Sequence, residues 1–237
     1  MLIDCSGPRT SLAPVVELKW QPQNIHQQTH IVRRGETLYA VAFRYDQDYR
    51  QLAQANHLQS PYALRVGQVL NLKPGSKIAS HYIAAKRVPM QHTRRHFTQK
   101  SVSVYSGSRA KVSSGSQHWL WPVKGRVAAH FIPQQGKKGI DIAGKKGERI
   151  RAASSGIVAY AGSGLSGYGN LIIIKHNDQF LTAYGNNLRN MVAEGQKVKA
   201  GQIIAEMGVI DRRFWGVHFE IRQAGKPVNP LNYLQRG

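Results

Sequence analysis

The feature that most constrains this fold is a series of short apolar runs, closed by glycine, in the second half of the chain. These runs read GERIRAASSGIVAYAG, GNLIIIKHNDQFLTAYG, KVKAGQIIAEMG and VHFEIRQAGKPVNP. Strand-length segments of about 4–8 residues, with turn-forming residues between them, are typical of antiparallel sheets. We therefore predict a mainly antiparallel β domain over residues 118–237.

A smaller α+β domain is predicted over residues 29–73 from a different pattern. A short strand comes first, and Thr37 is a plausible N-cap for the helix that follows it. A second helix is predicted over residues 48–56, and a last strand over residues 69–72. The predicted order is therefore strand–helix–helix–strand.

Two segments without apolar periodicity precede and separate these domains. Residues 1–28 are rich in Pro, Gln and His, and residues 74–117 are rich in Ser, Lys, Arg and His. Such compositions do not bury enough apolar surface to fold, and like charges keep a segment extended. We predict a flexible tether over residues 1–28 and a flexible basic linker over residues 74–117.

The net charge narrows the class of partner. The 237 residues carry 33 Lys and Arg against 12 Asp and Glu, a formal charge of +21, with no acidic residue from Tyr49 through Ile140. Such a field favours a polyanion, either a nucleic acid, an anionic lipid surface or an acidic cell-wall polymer. The sequence has no helix-turn-helix pattern, Cys/His finger or RNP aromatic run, so we expect no nucleic acid as a partner.

The single cysteine, Cys5, excludes an intrachain disulfide. The segment from Leu2 to Ser6 resembles the end of a bacterial lipoprotein signal, in which a lipidated Cys follows a Leu by three positions. Asp4 departs from that pattern, and no apolar stretch precedes it. Two interpretations stay open: Cys5 is lipidated and the start site is misplaced, or Cys5 is an ordinary thiol.

The motifs VRRGETL at residues 32–38 and LRVGQVLNL at residues 64–72 resemble the two ends of a LysM domain. The resemblance covers residues 29–73 and implies binding to glycans that contain N-acetylglucosamine. The loop after the first strand and the loop before the last strand would form the sugar groove. For any single loop residue, packing within the domain is an equal alternative. The implied glycan-binding residues are Gly35, Glu36, Thr37, Leu38, Ser60, Pro61, Tyr62 and Leu64.

Across residues 119–235 a series of motifs resembles the lysostaphin-type (LytM) zinc peptidase domain. In order they are WPVxG, GIDIA, GxVxYAG, GYGNLIIIKH, AYGNN, HFEIR and VNPLNYL. Active members of that family hold a catalytic zinc ion through three protein ligands, with a fourth position open for water. The zinc lowers the pKa of this water to about 7, so that a nearby base can remove its proton.

The resemblance also implies where the zinc-site residues should be. Active members supply His-x-x-x-Asp, a His-x-His whose second His binds zinc, and a further His in a Tyr-x-His segment. Here the matching positions are Lys137 and Asp141, Gly216 and His218, and Asn186, so three of the five are replaced. Only Asp141 and His218 remain as possible ligands, and we expect Asp141 to serve as the counterion of Lys137. We therefore predict a degenerate site without catalytic activity, metal or other cofactor.

Two further histidines, His130 and His176, lie in the same predicted domain. Zinc ligands need a defined geometry as well as proximity, so we interpret both as hydrogen-bonded or surface residues. His218, having lost its partners, is interpreted as a structural residue of its strand.

The combination of a LysM domain with a degenerate LytM domain resembles the NlpD-like family of murein hydrolase activators. This resemblance implies a periplasmic protein attached to the outer membrane through Cys5. Its implied partners are peptidoglycan and an N-acetylmuramoyl-L-alanine amidase, which it activates during cell division so that daughter cells separate. The partner-binding cleft would include Arg212, Arg213, Phe214 and Trp215. The aromatic pair is either an exposed anchor or part of the core.

Two other functions stay open. The first is an active zinc endopeptidase with replacement ligands, which would cleave peptidoglycan stem peptides and contain stoichiometric zinc. The second is a structural peptidoglycan anchor, which would not stimulate an amidase. The positive charge suits all three functions, because peptidoglycan carboxylates, teichoic acids and lipid headgroups are anionic.

Overall fold

The structure, a computed structural model, describes residues 27–73 and 119–235. The predicted linker and most of the predicted tether, including Cys5, lie outside the described residues. The domain boundaries given above therefore stay predictions.

The first folded unit has the predicted order of elements. They are β1 (Thr29–Ile31), α1 (Leu38–Arg44), α2 (Tyr49–Ala55) and β2 (Val69–Asn71). The two strands pair antiparallel. The Thr37 hydroxyl caps α1 by accepting a hydrogen bond from the Ala40 amide at 3.2 Å. The Asp48 carboxylate caps α2 by accepting one from the Arg50 amide at 2.8 Å, so both helices start at residue types that favour N-caps.

A small apolar core holds this unit together. Burying a large apolar side chain contributes about 1.5–3 kcal/mol, so a core of this size suffices only for a small domain. Neither described helix is long and apolar enough to cross a membrane. The buried members of the core are Val32, Leu38, Val41, Ala42, Tyr49, Leu52, Ala53, Leu70 and Leu72.

The second folded unit is an antiparallel sheet of ten strands, as the glycine-punctuated runs predict. The strands are β3 (Val127–Ala129), β4 (Ile140–Ala143), β5 (Arg149–Arg151), β6 (Gly156–Gly162), β7 (Asn170–Lys175), β8 (Phe180–Asn190), β9 (Lys197–Val198), β10 (Ile203–Ile210), β11 (Phe214–Gln223) and β12 (Lys226–Val228). Eight of them follow the order β3-β4-β11-β10-β8-β7-β6-β9. In addition, β12 pairs with β11, β5 pairs with β10, and β11 pairs with β8.

The two faces of this sheet differ in chemistry, and β11 shows the difference directly. Because successive side chains of a strand point to opposite faces, Val217, Phe219 and Ile221 enter the apolar core of the sheet. The alternate residues of the same strand are charged or titratable, and they lie on the opposite surface, which we call the site face. These residues are His218, Glu220 and Arg222.

Helix α1 of the first unit packs on the site face of the sheet. Ala40 and Phe43 are buried together with apolar side chains of β6, β7 and β8. The Thr37 hydroxyl donates a hydrogen bond to the Ala159 carbonyl oxygen at 3.0 Å. The sequence left the arrangement of the two domains open, and the structure brings them into direct contact.

Candidate functional site

Three neighbouring strands form the candidate site. On β11, His218 lies opposite Asp141 of β4 on one side and opposite Gly185 of β8 on the other. His218 Nδ1 is 2.6 Å from Asp141 Oδ1. The two residues that remain of the implied zinc ligands are therefore bound to each other.

The second ring nitrogen of His218 is engaged as well. His218 Nε2 lies 3.0 Å from Glu220 Oε1, so a carboxylate faces each nitrogen of the ring. Burial favours the neutral imidazole, but the hydrogen bonds to Asp141 and Glu220 outweigh it and raise the pKa of His218 to about 9. The resulting imidazolium donates both N–H groups and keeps no lone pair for a metal ion.

Glu220 extends this ion pairing along the site face. Its Oε2 accepts a hydrogen bond from Arg222 Nε at 2.6 Å, and its Oε1 accepts one from the Tyr168 hydroxyl at 2.9 Å. Burial favours the protonated carboxyl group, but the charges of Arg222 and His218 prevail and lower the pKa of Glu220 to about 2. Asp141, His218, Glu220 and Arg222 thus form a row of alternating charges.

Lys137 stands outside this row. It is exposed and follows a 3₁₀ turn over Pro133–Gln135, where it exchanges two backbone hydrogen bonds with Ile132 at 3.0 and 3.1 Å. The expectation that Asp141 is the counterion of Lys137 is wrong, because the Asp141 carboxylate pairs with His218 instead. Lys137 therefore brings no donor to Asp141.

Gly216 and Asn186, at two further positions of the implied zinc site, provide no group that transfers protons near neutral pH. Gly216 is buried in β11 opposite Ala143, and a Cβ atom there would lie 2.9 Å from the Ile142 carbonyl oxygen. A histidine at this position would therefore require the neighbouring strand to shift. Asn186 has a left-handed backbone with φ of 60°, and its backbone N–H donates to the Tyr168 carbonyl oxygen at 2.7 Å.

This set of donors does not fit a catalytic zinc ion, which needs three protein ligands and one open position. Within residues 27–73 and 119–235, no group of three or more His, Cys, Asp or Glu side chains is arranged to hold a metal ion. Asp141 and His218 satisfy each other, and the remaining nitrogen of His218 faces Glu220. We derive no hydrolytic step through zinc from this geometry.

The other two histidines do not join the site. His130 is exposed. His176 Nδ1 lies 2.8 Å from the Ser155 carbonyl oxygen, and its Nε2 lies 2.7 Å from Thr182 Oγ1. Burial outweighs the hydrogen bond to Ser155 and lowers the pKa of His176 to about 4. His176 is therefore a neutral residue whose two nitrogens are both hydrogen-bonded within the fold.

Of the four predicted cleft residues, Arg212 and Arg213 lie in the turn between β10 and β11, and Phe214 and Trp215 begin β11. Arg212 and Arg213 are exposed, and Phe214 and Trp215 are half-buried. The Trp215 ring packs against the apolar core of the sheet, and Lys146 Nζ lies 5.7 Å from its centroid. Neither simple alternative for the aromatic pair describes it, because both rings are partly accessible. Their role in binding a partner stays a prediction.

The predicted glycan-binding residues divide into two groups. Leu38 lies in the core of the first unit, Glu36 Oε2 is 2.7 Å from His30 Nε2, and Thr37 caps α1 while bonding to Ala159. For these three, packing or hydrogen bonding within the protein already uses the side chain. The exposed or half-buried remainder consists of Gly35, Ser60, Pro61, Tyr62 and Leu64.

The sequence analysis missed Glu220, Arg222 and Tyr168. The signal for the first two was available in the run HFEIR, where titratable and apolar residues alternate. Charged groups at every second position of an otherwise apolar strand indicate a buried ion-pair network, because isolated buried charges are too costly. Tyr168 gave no comparable signal, since it reaches Glu220 from a loop far away in the sequence.

Comparisons with known proteins find both domains. The LysM domain family matches residues 30–73, and Peptidase family M23 matches residues 135–230. The lipoprotein NlpD/LppB homolog of Pseudomonas aeruginosa is 40% identical, over 87% of this chain and 77% of that protein. The murein hydrolase activator NlpD of Escherichia coli is 39% identical, over 87% of this chain and 67% of that protein. The uncharacterized lipoprotein YgeR of Escherichia coli is 37% identical, over 99% of this chain and 88% of that protein.

Proposed function

The chain belongs to the NlpD/LppB family of proteins with LysM and M23 domains, and on this premise we propose that it is a non-catalytic activator of a murein hydrolase. The hydrolase is an N-acetylmuramoyl-L-alanine amidase of the periplasm. By stimulating it, the protein promotes peptidoglycan remodelling and the separation of daughter cells. One of its relatives is named a murein hydrolase activator, which supports this assignment.

The observation that carries the proposal is the position of His218 between two carboxylates. Asp141 and Glu220 lie 2.6 and 3.0 Å from its two ring nitrogens. A zinc ion would have to break the hydrogen bond between His218 and Asp141 and remove a ring proton that the two carboxylates stabilise. The fold of a zinc peptidase is thus retained while its metal site is replaced by ion pairs, as expected of a domain that binds and does not cleave.

The turn between β10 and β11 is the proposed contact with the amidase. Arg212 and Arg213 are exposed beside the half-buried rings of Phe214 and Trp215. Arginine and aromatic side chains are the residue types that most often dominate the binding energy of protein interfaces. Gly216 follows directly in β11, so this turn adjoins the remnant site, by which we mean the positions that correspond to the implied zinc site. They are Lys137, Asp141, Asn186, Gly216 and His218.

The LysM domain supplies the proposed attachment to peptidoglycan. Binding to glycan strands would keep the activator close to the substrate of the amidase and raise its effective concentration there. The exposed loop residues Gly35, Ser60 and Pro61 are the best placed of the predicted set, with Tyr62 and Leu64 beside them. The net charge of +21 adds attraction to the carboxylates of peptidoglycan.

Attachment to the outer membrane through Cys5 is part of the proposal. Relatives over most of the chain carry the name lipoprotein. Incubating producing cells with a radioactive fatty acid tests the two interpretations of Cys5. Label that persists in the wild type and disappears in Cys5→Ser identifies lipidation, and an unlabelled wild-type protein would identify an ordinary thiol.

Dye release from labelled peptidoglycan sacculi tests the proposed function. The protein alone, a candidate amidase alone and the mixture are compared with zinc present. We expect the mixture to release several-fold more dye than the amidase alone, and the protein alone to release none. Release by this protein alone, abolished by a chelator and by His218→Ala, would identify an active zinc peptidase. Binding to sacculi without stimulation, across the amidases of the same cell, would identify a structural anchor.

A further inference from the structure

The LysM domain covers part of the site face. From α1, Ala40 and Phe43 are 1% and 2% exposed, although neither belongs to the buried core of the LysM domain itself. They pack on an apolar strip of the sheet, which we call the docking strip. It consists of Tyr160, Leu165, Leu171, Ile173, Leu181 and Ala183.

The docking strip and the row of charges share one face. Along β8 and β11, Ala183 lies opposite Glu220 and Leu181 lies opposite Arg222. One strand pair therefore carries both the residues that α1 covers and the ion pairs that lead to His218. A molecule that approaches the remnant site along this face meets the LysM domain.

A buried ion pair joins the two domains at this point. The guanidinium group of Arg222, fully buried, donates through Nη1 to Asp46 Oδ1 of the LysM domain. The other oxygen of Asp46 accepts a hydrogen bond from Lys138 Nζ at 2.6 Å. Arg222 also lies 4.2 Å from the ring centroid of Phe43, a favourable cation–π arrangement. The row of charges thus continues from the remnant site into the LysM domain.

Further contacts surround the ion pair. Arg44 Nη2 donates to the Gly164 carbonyl oxygen at 3.0 Å. The Tyr49 hydroxyl donates to Asp178 Oδ1 at 3.3 Å, and Lys175 Nζ lies 5.3 Å from the Tyr49 ring centroid. These polar contacts surround the apolar docking strip, so the interface combines both kinds of contact.

The same contact restricts the LysM glycan loops. Thr37, in the first predicted glycan loop, donates its hydroxyl hydrogen to Ala159 across the interface. Tyr62, in the second loop, packs edge-on against Tyr49, whose hydroxyl bonds to Asp178 of the sheet. A glycan that used both loops would compete with the sheet for these groups.

We propose that the LysM domain is a removable cover of the site face, held down by the Arg222–Asp46 ion pair, and that glycan binding by LysM and docking on the sheet exclude each other. The described structure is the covered state. Peptidoglycan would then both anchor the protein and uncover the docking strip, which would extend the surface offered to the amidase beyond the turn between β10 and β11. This inference deepens the proposed function, but its central measurement requires no amidase.

Hydroxyl-radical footprinting of the full-length protein measures the cover directly. Oxidation is measured at Phe43 of the LysM domain and at Tyr160 of the sheet, which are buried together between the two domains. Trp119, in the core of the sheet, is the internal reference. Asp46→Asn removes the charge that Arg222 requires and keeps a residue type that tolerates the left-handed φ of 52° at this position. Asp48→Asn is the matched control, because Asp48 pairs with Arg50 inside the LysM domain and asparagine is also an N-cap.

In the wild type we expect Phe43 and Tyr160 to be protected like Trp119. Asp46→Asn should raise their oxidation several-fold and leave Trp119 unchanged, whereas Asp48→Asn should match the wild type. Equal protection in Asp46→Asn and the wild type would overturn the role of the ion pair. Oxidation of both residues in the untreated wild type would overturn the covered state.

A second pair of variants tests docking without changing any charge. A Cβ atom at Gly225 would collide with the backbone of Gln47 in the LysM domain, whereas a Cβ atom at Gly195 meets nothing within 4 Å. The two glycines have φ of +80° and +79°, so alanine causes the same backbone strain at each.

Chemical cross-linking measures whether the domains are docked. A carbodiimide couples Lys138 Nζ to the Asp46 carboxyl group as an amide, and the carbodiimide is itself hydrated to a urea. We expect this cross-link in the wild type and Gly195→Ala, and a several-fold lower yield in Gly225→Ala. Equal yields would contradict the docking.

Glycan and amidase are then added to separate samples. A soluble N-acetylglucosamine oligomer at saturation should lower the Lys138–Asp46 cross-link and expose Phe43 in the wild type. An oligomer that binds without either change would overturn mutual exclusion.

In dye release, Asp46→Asn should stimulate the amidase more than the wild type does. If footprinting shows opening but no variant stimulates the amidase, the cover stands and the proposed function fails.

Discussion

His176 and His218 are both largely buried in the same sheet, yet their surroundings push their protonation in opposite directions. His176 has a carbonyl oxygen and a threonine hydroxyl beside its nitrogens, and its pKa falls to about 4. His218 has a carboxylate beside each nitrogen, and its pKa rises to about 9. Burial alone therefore makes a histidine neutral, and two carboxylates make it a permanent cation at neutral pH.

The difference follows from the groups that each side of the sheet places beside the ring. The core side of the sheet, where Thr182 meets His176, needs only packing and hydrogen bonds. The site face carries the carboxylates of Asp141 and Glu220, which require positive partners when they are removed from water. His218 and Arg222 provide this charge.

The largest expected effect is the loss of stability in Glu220→Gln. This variant leaves Arg222 buried with only Asp46 as a counter-charge, and leaves His218 with only Asp141. Removing one partner of a buried ion pair costs roughly 3–5 kcal/mol. Urea unfolding at pH 7 measures the change in the free energy of unfolding.

Glu206→Gln is the control for this comparison. Glu206 also pairs with two arginines, Arg149 and Arg189, but on the surface of the sheet. Exposed ion pairs contribute little, because water screens them. A loss in Glu220→Gln no larger than that in Glu206→Gln would contradict the account of the site face.

The next effect is on the pH dependence of stability. The pKa of His176 is lower in the folded protein than in the unfolded chain, where it is about 6.5, so its contribution is full above pH ~6.5 and is lost as the pH falls toward 4. We expect a loss of about 2 kcal/mol between pH 7 and 4, allowing for partial exposure. His218 should act oppositely, because its contribution is full below pH ~6.5 and is lost as the pH rises through 9.

Urea unfolding of the wild type and His176→Gln, measured from pH 4 to pH 7, tests the first direction. The difference in stability between the two proteins should shrink as the pH falls. A difference that stays constant over this range would mean that His176 is not held neutral by the fold.

A smaller effect is expected for Thr37→Val in the LysM domain. The variant keeps the shape of the side chain but removes both the cap of α1 and the hydrogen bond to Ala159. Loss of an N-cap costs about 1 kcal/mol. Thermal unfolding measures this loss. The control is Thr29→Val, which removes a hydroxyl group from β1 but no cap. Equal melting temperatures for the two variants would contradict the role of Thr37.

The smallest effect on stability is expected for Arg213→Ala at the turn before β11. Its side chain is exposed, so the free energy of unfolding should change by less than about 0.5 kcal/mol. Stimulation of the amidase should nevertheless fall, because this turn is the proposed partner surface. Dye release at equal concentrations of folded protein tests this, and full stimulation by Arg213→Ala would move the contact elsewhere.

Much of the fold could be predicted because it depends on local patterns. The cap at Thr37, and the glycine-punctuated runs of the second domain, each specify structure within a few residues. The positions of Asp141 and His218 followed from motifs in the same way.

The ion pairs could not be predicted, because they depend on distances between segments far apart in the sequence. Lys137, four residues before Asp141, was the expected partner of its carboxylate, whereas the pairing of β4 with β11 places His218 beside it. The bond between Arg222 and Asp46 joins residues of separate domains. No periodicity or motif in either domain indicates that contact.

The most direct test of the account is whether His218 accepts zinc. Long-range ¹H–¹⁵N NMR of the His218 ring at pH 7, recorded before and after one equivalent of zinc, reports both nitrogens. We predict the signals of an imidazolium, with both nitrogens protonated and unchanged by the metal. Stoichiometric zinc binding, with one nitrogen of His218 deprotonated and shifted, would show that this site is still a metal site and would contradict the central claim.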